Sequence, residues 1–292
     1  MILVGENINI MSKTIGAAIR NRDAATIQQL ARQQAGAGMD YLDLNIGPAR
    51  RDGPELMEWI VKTVQEVVEL PLSLDTTNPD AMEAGLKVHR GKAIINSISL
   101  QPERLERMLP LAKQYGAAVV GLLWGTEGMP RDADDRAALC VELVQRVMDA
   151  GVPPEDILID PIVTPVSADI GQVIAVVEFM SAFKDLAPGC KSIVGLSNVS
   201  NGTPTELRPH LNRAYLAMLM KYGLDAAIVN AFDEELVKLA RGEMPEILNL
   251  VHRIMDGERF DVNELPEKER IYAKTTLVLM GKVVYSHSWL EA

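Results

Sequence analysis

Aromatic residues are scarce, at 4% of 292 positions, and Ala, Leu, Ile, Val and Met take up the apolar share within a 48% hydrophobic composition. That mix suits helices packed on a parallel sheet, in one large α/β domain or two smaller ones. Basic charge is in deficit. The net charge is -11 and the pI about 4.9, which excludes the basic stripe a nucleic-acid partner requires. The two cysteines, Cys140 in a helical pattern and Cys190 in a loop, form neither a disulfide framework nor a zinc pattern. The four histidines are scattered, without ligand spacing. No apolar run reaches membrane-spanning length. The opening MILVGENINI lacks a basic lead and a long apolar stretch, so it reads as a first strand rather than a signal peptide. No glycine-rich dinucleotide fingerprint follows it, and no phosphate loop occurs. The expectation is a soluble cytoplasmic protein.

What the sequence does contain is alternation. Short runs rich in Val and Ile predict strands at Ile2–Gly5, Tyr41–Asn45, Leu72–Asp75, Ala93–Asn96, Ala118–Leu123, Ile157–Asp160, Ile193–Asn198 and Ala226–Asn230. Helical patterns fill the gaps. NPDAMEAGL and QPERLERMLPLAKQYGA place proline in the first turn, and DADDRAALCVELVQRVMDAG opens acidic and closes on Gly151. Pro110 predicts a kink or break inside its helix. Eight β/α units fit a TIM (β/α)8 barrel better than an open doubly wound sheet. Two further helical patterns follow, in EMPEILNLVHRIMDG and PEKERIYAKTTLVLMGKVVY. The predicted division is a barrel over residues 1–242 and a C-terminal helical extension over 243–292, packed on the barrel or at a subunit contact.

The predicted strands share one habit: they end in acids and amides. Glu6, Asn7 and Asn9 follow the first, and Asp43 and Asn45 close the second on one face. Asp75, Asn96, Asp160, Asn198 and Asn230 close others. In a barrel these ends surround one mouth, where active sites of the fold lie. Thr76, Thr77, Asn78 and Ser167 read as helix caps. Capping does not account for an acid or amide at the last strand position, where an inward carboxylate must find donors or shift its pKa. No Lys or Arg falls at a strand end, which disfavours phosphate and Schiff-base chemistry. Glu6, Asp43, Asp75 and Asp160 could hold a hard divalent ion, but a metal is not expected. A flat heterocycle with a guanidine-like edge fits best, its N–H groups on carboxylates and its carbonyl and ring nitrogens on amides.

GENIN, LDLNIGP, LDTTN, AMEAGL, INSIS, IDP, GLSNVS and NRAYLAMLMKYGLDAAI, in order over roughly residues 1–240, resemble the pterin-binding methyltransferases. The nearest likeness is to methyltetrahydrofolate:corrinoid-protein methyltransferases. The resemblance implies a TIM barrel, a homodimer, and methyl exchange between N5 of tetrahydrofolate and cobalt of a corrinoid (cobalamin) on a partner protein. Carried over by motif, Asp75, Asn96 and Asp160 bind the pterin edge, and Asn198 reaches N5. Asp43, Asn45, Gly195 and Ser197 are near neighbours of the site. The chain has no Asp-x-His-x-x-Gly element, so the corrinoid is expected on a docked partner. The favoured direction is methyl-corrinoid to tetrahydrofolate, as in demethylation. The alternatives are transfer from methyltetrahydrofolate to a corrinoid iron-sulfur protein in the acetyl-CoA pathway, a dihydropteroate synthase-like enzyme, and a non-catalytic folate-binding subunit.

Overall fold

A computed structural model describes residues 1–259 and 261–291. Eight parallel strands close into a barrel in sequence order: β1 (Ile2–Asn9), β2 (Tyr41–Gly47), β3 (Leu72–Thr76), β4 (Ile94–Ile98), β5 (Ala118–Leu122), β6 (Ile157–Asp160), β7 (Lys191–Gly195) and β8 (Ala226–Val229). The surrounding helices are α1 (Lys13–Arg20), α2 (Ala24–Gly36), α3 (Gly53–Gln65), α4 (Pro79–Val88), α5 (Pro102–Tyr115), α6 (Ala133–Asp149), α7 (Ile170–Leu186), α8 (Arg208–Met220) and α9 (Glu234–Ala240). Helices α10 (Pro245–Met255) and α11 (Glu267–Leu279) follow and lie against α8. The TIM barrel expected from the alternation is the fold observed.

Strand side chains alternate between two surroundings. One set, including Leu3, Leu42, Leu74, Ile95, Val119 and Ile159, is buried against the helices. The other points inward, where Val4, Ile94, Ala118, Val120, Leu158, Ile193 and Ala226 pack on one another as an apolar floor. Two residues further along several of these strands the inward side chain turns polar: Glu6 after Val4, Asn96 after Ile94, Asp160 after Leu158. The floor thus sets the depth of the polar layer above it.

Local chemistry explains the departures from expectation. Helix α5 runs unbroken through Pro110. Pro110 and Glu106, four residues before it, are both exposed, so water can satisfy the carbonyl that proline leaves free. Of the expected caps, Asn78 serves α4, its Oδ1 accepting from the Asp80 and Ala81 amides at 3.0 and 3.2 Å. Thr76 instead donates to the Gly47 carbonyl at 2.7 Å, and Ser167 to that of Asn201 at 3.1 Å. Helix α7 is capped by Asp169. Among the described residues no helix is long and apolar enough to cross a membrane.

Candidate active site

Strand register builds the first half of the site. Asn45, Asp75 and Asn96 are lateral neighbours on β2, β3 and β4. The Asn45 amide donates to Asp75 Oδ2, and its Oδ1 accepts from the Gly47 amide at 3.0 Å. Asp43 lies one inward position deeper. Its Oδ1 accepts from Ser73 Oγ at 2.6 Å and from Asn96 Nδ2 at 3.2 Å. Asp43 and Asn45 therefore aim Asn96 and Asp75. Burial raises the Asp43 carboxyl against the pull of these two donors. Burial raises Asp75 well above the usual carboxylate range, and the charge of Asp43 adds to it.

The second half comes from β6, β7 and the turns after them. Asp160 Oδ1 accepts from the Ile162 amide at 2.8 Å. Burial pushes its carboxyl up to about 6, opposed by that bond, by the charge of Arg136 and by the Gly195 amide. Strand β7 stops at Gly195 rather than at Asn198, and Leu196–Ser200 wind into a 3₁₀ turn. Short polar side chains offer the backbone local partners in place of a ladder. Here Ser200 Oγ donates to the Ser197 carbonyl at 3.1 Å, and Asn201 Nδ2 to Asn198 Oδ1 at 3.2 Å. A Cβ on Gly195 would stand 3.0 Å from Asn198 Nδ2, so the missing side chain lets the Asn198 amide lie against the strand end. Strand β8 likewise stops before Asn230, whose Oδ1 accepts from Asn7 Nδ2 at 2.9 Å and from the Phe232 amide at 3.2 Å.

Three residues, Arg104, Arg208 and Arg136, and one pairing escaped the reading of strand ends. Ser197 Oγ donates to Glu6 Oε2 at 2.8 Å, and burial raises the Glu6 carboxyl. Glu6 stands in the sequence as a strand-end acid; its tie to Ser197 spans 191 residues and has no local signature. Arg104 Nη1 donates to the Ser97 carbonyl at 3.0 Å, and its charge opposes the rise at Asp75. Arg208 donates to Ser200 Oγ and Asn201 Oδ1, both at 3.1 Å. No Lys or Arg falls at a strand end, but both arginines come from first turns of helices, which face the same way. Neither forms an ion pair among the described residues. Arg136 is fully buried and donates to the Pro161 and Asp132 carbonyls at 2.8 and 3.0 Å and to Gln172 Oε1 at 2.7 Å. It braces the turn after Asp160, where Ile162 adopts φ 65. A cavity of about 760 Å³ lies at the starts of α4 and α5, lined by Thr77, Pro79, Gln101, Arg104, Arg107 and Met108 among others, and Asn45, Asp75 and Asn96 are not part of its lining. Among the described residues no three His, Cys, Asp or Glu are grouped to hold a metal ion.

A carboxylate-and-amide layer on an apolar barrel floor is what a planar ring with several N–H donors requires. The model of the pterin binding enzyme family matches residues 5–230, and the chain belongs to that family. It is 26% identical over 239 residues to the methylcorrinoid:tetrahydrofolate methyltransferase of Eubacterium limosum, covering 81% of this chain and 88% of that one. It is 29% identical over 288 residues to the methionine synthase of Mycobacterium tuberculosis, covering 93% of this chain but 24% of that much longer protein. Among solved structures, dihydropteroate synthase from Thermus thermophilus superposes with a TM-score of 0.59 at 22% identity, covering 82% and 93% of the two chains. The Yersinia pestis enzyme superposes with a TM-score of 0.63 at 15% identity, covering 84% and 93%. At these identities the structures speak for the fold alone.

Proposed function

We propose that this chain transfers a methyl group between N5 of tetrahydrofolate and the cobalt of a corrinoid carried by a separate protein. The observation that carries the reading is the polar cap above the apolar floor: Asp75 beside Asn96 on β3 and β4, Asp160 two residues beyond Leu158 on β6, and the Asn198 turn directly after β7. Ionised Asp75 and Asp160 accept from the amino and ring N–H groups of the pterin, and Asn96 pairs with its remaining edge. Each such donor favours the charged carboxylate, offsetting the burial that raises both groups.

The corrinoid supplies or accepts the methyl at cobalt. The chain's own work is at N5. In the favoured direction, the one stated in the name of the Eubacterium limosum relative, the N5 lone pair forms the new N–CH₃ bond, N5 becomes positive and its proton leaves. Asn198 stabilises N5 as that charge develops. The Glu6–Ser197 pair, beside Asn198 in sequence, takes the proton directly or through water. Run backwards, the same pair returns the proton, so the departing amine is neutral. Removing a hydrogen bond that strengthens in the transition state costs about 10²–10³ in rate. Single-turnover transfer from a methyl-corrinoid protein to tetrahydrofolate is therefore expected to slow by that factor in Asn198→Ala. A near-normal rate constant with a lowered melting temperature would reduce Asn198 to a turn former. Absence of any transfer by the intact protein, despite pterin binding, would favour a non-catalytic folate subunit.

Arg208, beside the Asn198 turn, gives one specific reason to keep a dihydropteroate synthase-like reading, since a pyrophosphate leaving group needs a cation there. Incubation with a pterin diphosphate and 4-aminobenzoate decides it; no dihydropteroate is expected.

A further inference from the structure

The family match ends at residue 230, yet the last ten residues described reach back into the site region. After α11 the chain turns at Gly281, whose φ of 68 and close approach to Ile174 of α7 leave no room for a side chain. Residues 282–284, 286–288 and 291 are exposed. Two side chains of this segment, Tyr285 and Trp289, tie it to other elements by side-chain hydrogen bonds. Trp289 is 2% exposed and donates Nε1 to Thr275 Oγ1 of α11 at 3.1 Å. The Tyr285 ring lies 5.7 Å from that of Trp289, and its hydroxyl shares a 2.7 Å hydrogen bond with Thr203 Oγ1.

Thr203 is buried in the connection between the Asn198 turn and α8. Its amide donates to the Ser200 carbonyl at 3.1 Å, and the Asn201 amide to that of Asn198, also at 3.1 Å. With the Asn201–Asn198 side-chain bond, contacts run without interruption from the Trp289 anchor through Tyr285 and Thr203 to Asn198. A five-residue 3₁₀ turn is a weak platform, since its hydrogen-bond geometry is poor. Other contacts hold the turn itself: the Val166 amide on the Val199 carbonyl at 2.9 Å, Ser167 on the carbonyl of Asn201, Ser197 on Glu6, and Arg208 on Ser200 Oγ and Asn201 Oδ1. The C-terminal segment grips the connection that follows it.

We propose that residues 281–291 form a strap that fixes the turn carrying Asn198, with Tyr285 as a positioning residue for the Asn198 amide. The functional part of this inference rests on the role given to Asn198 above; the mechanical part does not. A catalytic amide must be held close to its productive geometry, and small misplacements far from the chemistry carry large rate penalties. The strap removes freedom that the short turn cannot remove alone.

Tyr285→Phe keeps the ring on Trp289 and deletes the one hydrogen bond to Thr203. In the full chain it is expected to lower the single-turnover rate constant about 3- to 10-fold, the factor one hydrogen bond corresponds to. The dissociation constant for tetrahydrofolate should stay within about twofold, because Asp75, Asn96 and Asp160 sit on other strands. Thr203→Val should give the same loss, and the double variant little more, since both remove one bond. Hydrogen exchange reads the mechanics independently: the Asn201 and Thr203 amides should exchange faster in either variant, while those of β3 and β4 do not change. Unaltered exchange at 201 and 203 would overturn the strap whatever the reaction. Faster exchange with an unchanged rate constant would overturn the positioning role. Rate, affinity and melting temperature falling together would mark Tyr285 as a general stabiliser and sink the proposal too. If the intact protein transfers no methyl at all, the reaction assigned above fails, and the exchange result alone judges the strap.

Discussion

Asp160 is held inside the barrel, accepting from the Ile162 amide at 2.8 Å, and burial raises its carboxyl from 3.8 to about 6 against that bond, the charge of Arg136 and the Gly195 amide. Between those values the empty native state keeps a proton that the unfolded chain has released. The ligand-free fold therefore loses stability as pH rises through this window and loses no more above it. Asp160→Asn removes the titration. It should stabilise the empty protein by about 1–3 kcal/mol at pH 7–8, yet weaken pterin binding by about 1.5–3 kcal/mol, since a charge-assisted acceptor is lost. Thermal melts with and without tetrahydrofolate test both halves; a variant that melts lower and binds normally would refute them. In the wild type, affinity should fall as pH drops below about 6, because the proton returns to the acceptor. At this scale the sequence was readable where chemistry sits on a strand. Asp75, Asn96 and Asp160 could be named from position. Arg104 and Arg208 could not be placed, because whether a first-turn arginine bends over the mouth depends on side-chain packing.

The helices contribute more to the site than their amphipathic patterns suggest. Arg136 on α6 and Gln172 on α7 are both buried, and Gln172 Nε2 donates onward to the Arg131 carbonyl at 2.7 Å. The pair ties the turn after Asp160 to the loop before α6. Arg136→Met leaves the buried Pro161 carbonyl and the Gln172 oxygen without their side-chain donor and should cost at least about 3 kcal/mol. It also removes a positive charge that lowers Asp160, so the pH midpoint for pterin binding should move up. Denaturant titration and calorimetry at several pH values check the two effects; a loss below about 1 kcal/mol would show the brace to be dispensable. Elements were legible because each β/α unit carries its own apolar run and punctuation. Their ends were less so. The expected last strand positions Asn198 and Asn230 fall in turns, because local side-chain bonds meet distant ones there: Glu6 and Asn7, far away in sequence, hold Ser197 and Asn230, and Arg208, 11 residues on, holds the Ser197 carbonyl.

For the molecule as a whole, the loops around the mouth leave large apolar side chains in water. Met11 after β1 is 84% exposed, Phe232 after β8 is 47% exposed and Met129 after β5 is 39% exposed. We propose that this rim receives the corrinoid protein. Met11→Glu with Phe232→Glu should raise the corrinoid-protein concentration needed for half-maximal transfer at least about tenfold, a loss typical of two interface contacts. Transfer from free methylcobalamin should be unchanged; equal loss with both donors would place the damage in the site instead. We also propose a homodimer. Sedimentation should then give about twice 32.0 kDa, and a single-chain mass would exclude it. The closed barrel was foreseeable from eight repeats of one unit. How the extension is used was not, since Tyr285 and Thr203 are 82 residues apart and each is ordinary in its own segment.

The floor of Val4, Ile94, Val120, Leu158 and Ile193 has a kinetic corollary. If the proposed reaction holds, a filled barrel axis leaves the rim as the doorway for the pterin, and the larger partner proposed to dock there would cover the same rim. The small reactant then has to arrive first and its product has to leave last. Initial-rate studies should show compulsory-order addition, with excess corrinoid protein slowing turnover by sealing the folate product inside.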